Sequence, residues 1–267
     1  VNDFFAAVIL GIVEGITEFL PVSSTGHLIL VNQWIGFGDS FEKMFDVVIQ
    51  MGAILAVVIF FWKRLWPFGK STQNESRTVW DTWFKVAVAT IPFIILGAAG
   101  GKKLQEILFN PIIVAGALIS WGIVLIVIEK VSKKETMPTI AQIGFSTAFL
   151  IGLIQCLAMV PGTSRSAATI IGAMMLGASR VAAAEFSFFL AIPTLCGASL
   201  YSLYKFDGVM TPHLAGVLAV GFAVSFLVAY GVIAAFMKFI QRRNFIPFGY
   251  YRIVLGALVL LYFLVIK

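Results

Sequence analysis

Six long apolar runs, near residues 44–62, 80–99, 112–129, 183–204, 214–237 and 248–266, dominate the sequence. A helix crosses the roughly 30 Å hydrocarbon layer with about 20 apolar residues, and each run is close to that length. In hydrocarbon every backbone N–H and C=O must find a partner inside the protein, so only helices and closed barrels span it, and runs of this size select helices. Only 12% of the residues are charged, about half of what a soluble domain carries. The sequence predicts an all-α, polytopic membrane protein with six transmembrane helices.

The net charge of +6 does not mark a nucleic-acid surface. The basic residues form no stripe; they cluster in short loops between apolar runs, where they report topology. No nucleic-acid partner is expected. Asn2 and Asp3 stand where a cleaved leader has a basic region, so no cleavage is expected. Cys156 and Cys196 lie in apolar stretches without paired spacing and read as small buried hydrophobes.

The chain resembles itself at an offset of 140 or 141 residues. Gly11-Ile-Val-Glu14 aligns with Gly152-Leu-Ile-Gln155, Pro21-Val-Ser-Ser-Thr with Pro161-Gly-Thr-Ser-Arg, Phe45-Asp-Val with Phe186-Ser-Phe, and Gly116-Ala-Leu with Gly256-Ala-Leu. Duplication explains a constant offset, giving repeats at 1–135 and 140–267 within one membrane domain. Each half opens with an apolar piece that stops at a proline, followed by a short helix. We expect a re-entrant helical hairpin at the head of each half, its polar tip buried in protein; the alternative is two tilted ordinary spans per hairpin. Three spans per half then insert the second half upside down, an inverted repeat. Thirteen basic residues (Lys63, Arg64, Lys70, Arg77, Lys85, Lys130, Lys133, Lys134, Arg180, Lys238, Arg242, Arg243, Arg252) fall on one side against five (Lys43, Lys102, Lys103, Lys205, Lys267) on the other. The first side is expected in the cytoplasm and both termini outside.

The two tips hold the polar chemistry. Glu14 and Glu18 share a helix face one turn apart, and carboxylates inside a membrane segment are costly enough to suggest function. They suit a general acid or base, or a cation site; one of them could instead be an interfacial carboxylate. Ser23, Ser24 and Thr25 follow Pro21 and begin a helix, which offers an anion both hydroxyls and free N–H groups, although such hydroxyls are often only caps. His27 sits one turn further on and is expected to face the same region, whereas His213 is assigned to an outer loop. In the second tip Ser164, Arg165 and Ser166 also begin a helix, with Thr169 one turn beyond. No acid lies within ten residues of Arg165. Its planar fork suits phosphate oxygens, or pairing with Glu14 or Glu18 across the repeat. Asp46 and Glu185 read as interfacial or structural. A fixed cation, two helix N-termini, hydroxyls, an imidazole and two carboxylates are what phosphoryl transfer demands, and the surrounding spans imply an anion carried on a hydrophobic tail.

The stretches Glu14-Gly-Ile-Thr-Glu18-Phe-Leu-Pro-Val-Ser-Ser-Thr-Gly-His27 and Pro161-Gly-Thr-Ser-Arg165-Ser resemble the two signature motifs of bacterial undecaprenyl-diphosphate phosphatases, also named for bacitracin resistance. The similarity continues through Phe45–Ala56, Glu185–Pro193 and Phe245–Arg252. The resemblance implies hydrolysis of undecaprenyl diphosphate to undecaprenyl phosphate and inorganic phosphate, which recycles the carrier lipid for cell-wall synthesis. It implies functional roles for Glu14, Glu18, His27 and Arg165, with Ser24 at the position of a hydroxyl proposed as nucleophile; the sequence leaves the attacking group open between Ser24, His27 and water, and the proton carrier between His27 and Glu18. Ser23, Thr25, Ser164, Ser166 and Thr169 are then expected around the substrate phosphates. It further implies a divalent cation, Mg2+ or Ca2+, for which the paired carboxylates Glu14 and Glu18 are the candidate ligands, a chain often found as a homodimer, a bacterial plasma (inner) membrane location and a site opening outward. Another lipid-phosphatase family has a Ser-Arg-x5-His pattern, but Ile171 occupies the histidine position here. The rival reading is a polyprenyl-phosphate flippase or secondary transporter, because inverted repeats and broken helices are also transporter features. Phosphate release in detergent, where no gradient exists, separates the two.

Overall fold

A computed structural model describes residues 2–37, 39–70, 72–101, 107–108, 110–131 and 135–266. Lys102, Lys103, Lys133, Lys134 and Lys267, used above for topology, lie outside the described residues. Among those described the chain is helical without a strand, apart from an isolated bridge between Met137 and Ala178. The helices are α1 (Asp3–Thr17), α2 (Ser24–Val31), α3 (Asp39–Val48), α4 (Gln50–Phe60), α5 (Trp62–Leu65), α6 (Gln73–Leu96), α7 (Pro111–Val131), α8 (Phe145–Gln155), α9 (Arg165–Met175), α10 (Arg180–Lys205), α11 (Pro212–Ile240) and α12 (Ile246–Leu261).

Six helical stretches are long and apolar enough to cross a bilayer: Phe41–Phe60, Gln73–Gly100, Pro111–Val131, Arg180–Lys205, Pro212–Ile240 and Ile246–Leu264. Each predicted run falls on one of them, and the chain is a multi-pass membrane protein. Local chemistry sets where they begin. Thr72, Ser179 and Thr211 cap α6, α10 and α11 with their hydroxyls, and Pro212 follows its cap at the one helical position that tolerates proline well. The four remaining long elements are shorter. α1 has 15 residues, α2 eight, and α8 and α9 eleven each; at 1.5 Å per residue these are roughly 12–22 Å long, less than the hydrocarbon thickness.

These short helices pack on the spans in a matched way: α1 lies along α11, and α8 lies along α6. The close approach depends on missing side chains. A Cβ on Gly11 would stand 2.7 Å from the Gly221 carbonyl oxygen, and one on Gly152 would stand 2.1 Å from that of Ala89. Small residues bring backbones together in this way where no hydrophobic force drives helices to associate. α4 packs against α11 and α10, and α7 pairs with α12.

One end of the bundle is laced by polar groups. Glu129, at the end of α7, accepts from Arg180 Nε at 2.9 Å, from Arg180 Nη2 at 2.7 Å and from the Phe245 backbone N–H at 2.7 Å, joining α7, α10 and α12. Arg64 pairs with Glu185, and Lys85 donates to the Ala141 carbonyl at 3.1 Å. Trp62, Trp66 and Trp80 are exposed on this side, as expected of an interfacial aromatic belt. Arg252 is not an interfacial cation: its side chain is wholly buried, 0% exposed, so it leaves the set of loop charges.

Candidate active site

Both tips turn through a strained serine. Ser23 (φ 72°, ψ 98°) and Ser164 (φ 71°, ψ 121°) are, among the described residues, the two non-glycine residues with positive φ. Such backbone costs about 1–3 kcal/mol per residue and persists only where the surroundings impose it. Each serine is also an N-cap. Ser23 Oγ accepts from the Gly26 N–H at 3.4 Å, and Ser164 Oγ accepts from the Ala167 N–H at 3.3 Å. Gly162, at φ +91°, sits where a Cβ would be 2.4 Å from the Val114 carbonyl oxygen. The second tip therefore lies hard against α7.

The tips meet. Arg165 Nη2 donates to Glu18 Oε1 at 3.2 Å, across 147 positions of sequence, with side chains only 9% and 7% exposed. Ser24 Oγ donates to the other Glu18 oxygen, Oε2, at 2.8 Å. One carboxylate thus holds a hydroxyl and a guanidinium together. Ser166 Oγ donates to the Leu20 carbonyl at 2.9 Å, a second tie between the tips, and also contacts Ser164 Oγ. Breaking one partner of a buried ion pair costs about 3–5 kcal/mol, because the other charge is stranded.

The second arm of Arg165 is aimed by α10. Its Nη1 donates to the Ser187 carbonyl at 2.8 Å, while Ser187 Oγ and Thr169 Oγ1 lie 2.6 Å apart. Thr169 was expected to face the phosphates; instead its hydroxyl is turned into the α9–α10 contact, where it braces the arginine's support. Arg165 Nε has no protein partner. Thr25 is half-buried.

Glu14 is wholly buried, with neither carboxylate oxygen hydrogen-bonded by the protein, and it lies within electrostatic reach of Glu18, Asp46 and Arg165. Gln155, its counterpart in the repeat alignment, is likewise 0% exposed with both amide atoms unpartnered. Two orphaned carboxylate oxygens beside Glu18 fit a divalent cation of the kind that takes one or two protein carboxylates and completes its shell with substrate phosphate. Among the described residues no group of three or more His, Cys, Asp or Glu could hold a metal alone. Asp46 is bonded to Asn32, with its Oδ2 accepting from Nδ2 at 2.9 Å.

His27 is at the first tip but turned toward α12. Its Nδ1 lies 2.7 Å from the Ser23 carbonyl oxygen and its Nε2 lies 2.6 Å from the Tyr251 hydroxyl. No hydrogen bond or ion pair among the described residues joins it to Glu18, Ser24 or Arg165. His213 pairs with Asp3 at 2.9 Å.

Sequence reasoning missed three contributors. Arg252 donates from Nη1 to the Pro21 carbonyl at 3.2 Å, from Nη2 to those of Gly162 and Thr163 at 2.8 and 2.9 Å, and from Nε to that of Leu118 at 3.4 Å. It ties both tips to α7 and α12. An arginine inside an apolar run was the available signal. Tyr251 and Ser187 are the others. A cavity of about 380 Å³ bordered by Lys63, Arg64, Lys70, Glu185 and Phe189 lies at the laced end and includes none of the motif residues.

The family model described as bacitracin resistance protein BacA matches residues 7–258. The chain belongs to the BacA family. Among curated BacA-like relatives, the undecaprenyl-diphosphatase of Enterococcus faecalis is 49% identical over 266 residues, covering 97% of this chain and 96% of that protein. Undecaprenyl-diphosphatase 1 of Clostridioides difficile is 49% identical over 265 residues, covering 98% and 96%. That of Lachnoclostridium phytofermentans is 48% identical over 270 residues, covering 99% and 98%.

Proposed function

We propose that this chain is an integral membrane phosphatase that hydrolyses undecaprenyl diphosphate to undecaprenyl phosphate and inorganic phosphate, recycling the carrier lipid for cell-wall synthesis and conferring bacitracin resistance. The observation that carries the reading is Glu18, with one oxygen on the Ser24 hydroxyl and the other on the Arg165 guanidinium. The family assignment supports the same substrate.

In this reading the diphosphate lies between the tips and Arg165 binds its oxygens, assisted by the N–H groups that begin α2 and α9. Glu18 accepts the Ser24 proton as Oγ bonds to the terminal phosphorus. The bridging P–O bond breaks, and undecaprenyl phosphate leaves with the electron pair. Water then cleaves the seryl phosphate, releasing inorganic phosphate and restoring the hydroxyl. Glu14 and Glu18 would hold Mg2+ or Ca2+, which when bound supplies charge neutralisation at the phosphates. The matched packing of α1 on α11 and α8 on α6, with a strained serine at each tip, supports two re-entrant hairpins within an inverted repeat of 1–135 and 140–267. We place the protein in the bacterial plasma membrane as a homodimer, with both termini and the site opening outside.

The test is phosphate release from undecaprenyl diphosphate by purified protein in detergent, with and without chelator. Arg165→Ala should lower kcat/KM about 10³-fold, the scale of an arginine that stabilises a phosphoryl-transfer transition state. Full turnover by that variant would sink the assignment.

A further inference from the structure

The two ring nitrogens of His27 are both engaged, and their partners fix the ring's chemistry. The Ser23 carbonyl oxygen, 2.7 Å from Nδ1, can only accept. Nδ1 must therefore carry a proton. With the ring neutral, Nε2 is then the acceptor, and the Tyr251 hydroxyl 2.6 Å away donates to it. The two rings are also stacked, with centroids 5.6 Å apart and planes 10° from parallel. A relay runs from the Tyr251 hydroxyl through the imidazole to the carbonyl of Ser23, the residue held at φ 72° just before Ser24.

We propose that Tyr251 is a positioning residue for the phosphatase reaction: its hydroxyl anchors Nε2 of the Nδ1–H ring and so fixes the orientation of His27, and His27 in turn holds the strained Ser23 carbonyl so that the Ser24 hydroxyl points at Glu18. The proposal rests on the reading of Ser24 and Glu18 as the reacting pair. It gives His27 a different task from proton shuttling. A shuttle needs a free nitrogen within reach of the hydroxyl, whereas both nitrogens are occupied here and Ser24 already donates to Glu18. Tyr251 adjoins Arg252, whose guanidinium bonds to the Pro21 carbonyl two residues upstream of Ser23. Consecutive residues of α12 thus grip the first tip on either side of Val22.

The sequence has only two histidines, so ¹⁵N-histidine labelling of the whole protein in detergent gives two imidazoles, separated by a His213→Asn variant. His213 presents Nε2 to the Asp3 carboxylate, so its contact calls for an Nε2–H proton and contrasts with the Nδ1–H form expected of His27. Tyr251→Phe should leave His27 in the Nδ1–H form set by the Ser23 carbonyl but free its ring to turn, lowering kcat roughly five- to tenfold with KM within about twofold. Because an Asn amide reaches the Nδ1 position and a Gln amide the Nε2 position, His27→Asn should retain at least about ten times the kcat of His27→Gln. An Nε2–H or imidazolium His27 in the wild-type protein at neutral pH overturns the proposal, as does equal loss in the Asn and Gln variants. The tautomer is read without turnover. An Nδ1–H His27 in a protein that releases no phosphate would therefore defeat the enzymatic reading and leave the Tyr251–His27–Ser23 lock standing.

Discussion

Replacing Arg252 by methionine tests whether the two tips are fastened to one another. The guanidinium is 0% exposed and donates to four backbone carbonyls, those of Leu118, Pro21, Gly162 and Thr163. A hydrogen bond from a charged donor contributes about 1.5–3 kcal/mol, so four amount to roughly 6–12 kcal/mol gross. Against this, methionine removes a buried cation whose desolvation costs several kcal/mol. A net loss of about 3–5 kcal/mol is expected, enough to lower the melting temperature by on the order of 10 °C in a chain of this size. Lysine keeps the charge but projects from one point, so it serves about half of the carbonyls and should lose roughly half as much. The assays are thermal unfolding in detergent and phosphate release on the folded fraction, where methionine should also cut kcat at least tenfold by loosening the Glu18–Arg165 contact. If Arg252→Met melted within about 2 °C of the parent and turned over within twofold, the tips would be held by something else.

Arg165→Lys should keep less than about a hundredth of kcat, since a single ammonium cannot reach both Glu18 and the Ser187 carbonyl as the forked group does; steady-state kinetics on purified lipid checks this. Glu14→Gln should raise the Mg2+ or Ca2+ concentration for half-maximal activity at least tenfold while leaving the melting temperature in chelator within about 3 °C, because Gln keeps the shape and removes a carboxylate that repels Glu18 and Asp46 as well as attracting Arg165. Gly162→Ala should destabilise by about 2–4 kcal/mol, as its Cβ would stand 2.4 Å from the Val114 carbonyl oxygen at a φ of +91°; denaturation of purified variant and parent gives the difference.

How much of this was legible in the sequence depended on what kind of signal each residue carried. The spans were legible because each is a continuous apolar run. Glu18 and Arg165 stood out because a charge in such surroundings needs a partner, and the repeat offset brought their segments together. Ser187 left no trace because Arg165 uses its backbone carbonyl, which every residue has. Arg252 was misread because it follows the loop cations Arg242 and Arg243 closely, and sequence distance from a span's end does not give depth when the first turn of α12 is itself partly buried. The heading of His27 and Thr169 was hidden for a related reason: helical spacing places a residue near the tip, but neighbouring helices decide which way its ring or hydroxyl turns.

The four hydrogen bonds on Glu129 have a bearing on how so bulky a lipid reaches the middle of the protein. They knot the ends of α7, α10 and α12 on one side, and the Arg64–Glu185 pair adds α5 to the same knot. The helices are therefore expected to part less where these charged stitches sit than at the far ends of the same helices. A long isoprenoid chain would slip in through the slack end, leaving the stitched end as the hinge about which the helices splay.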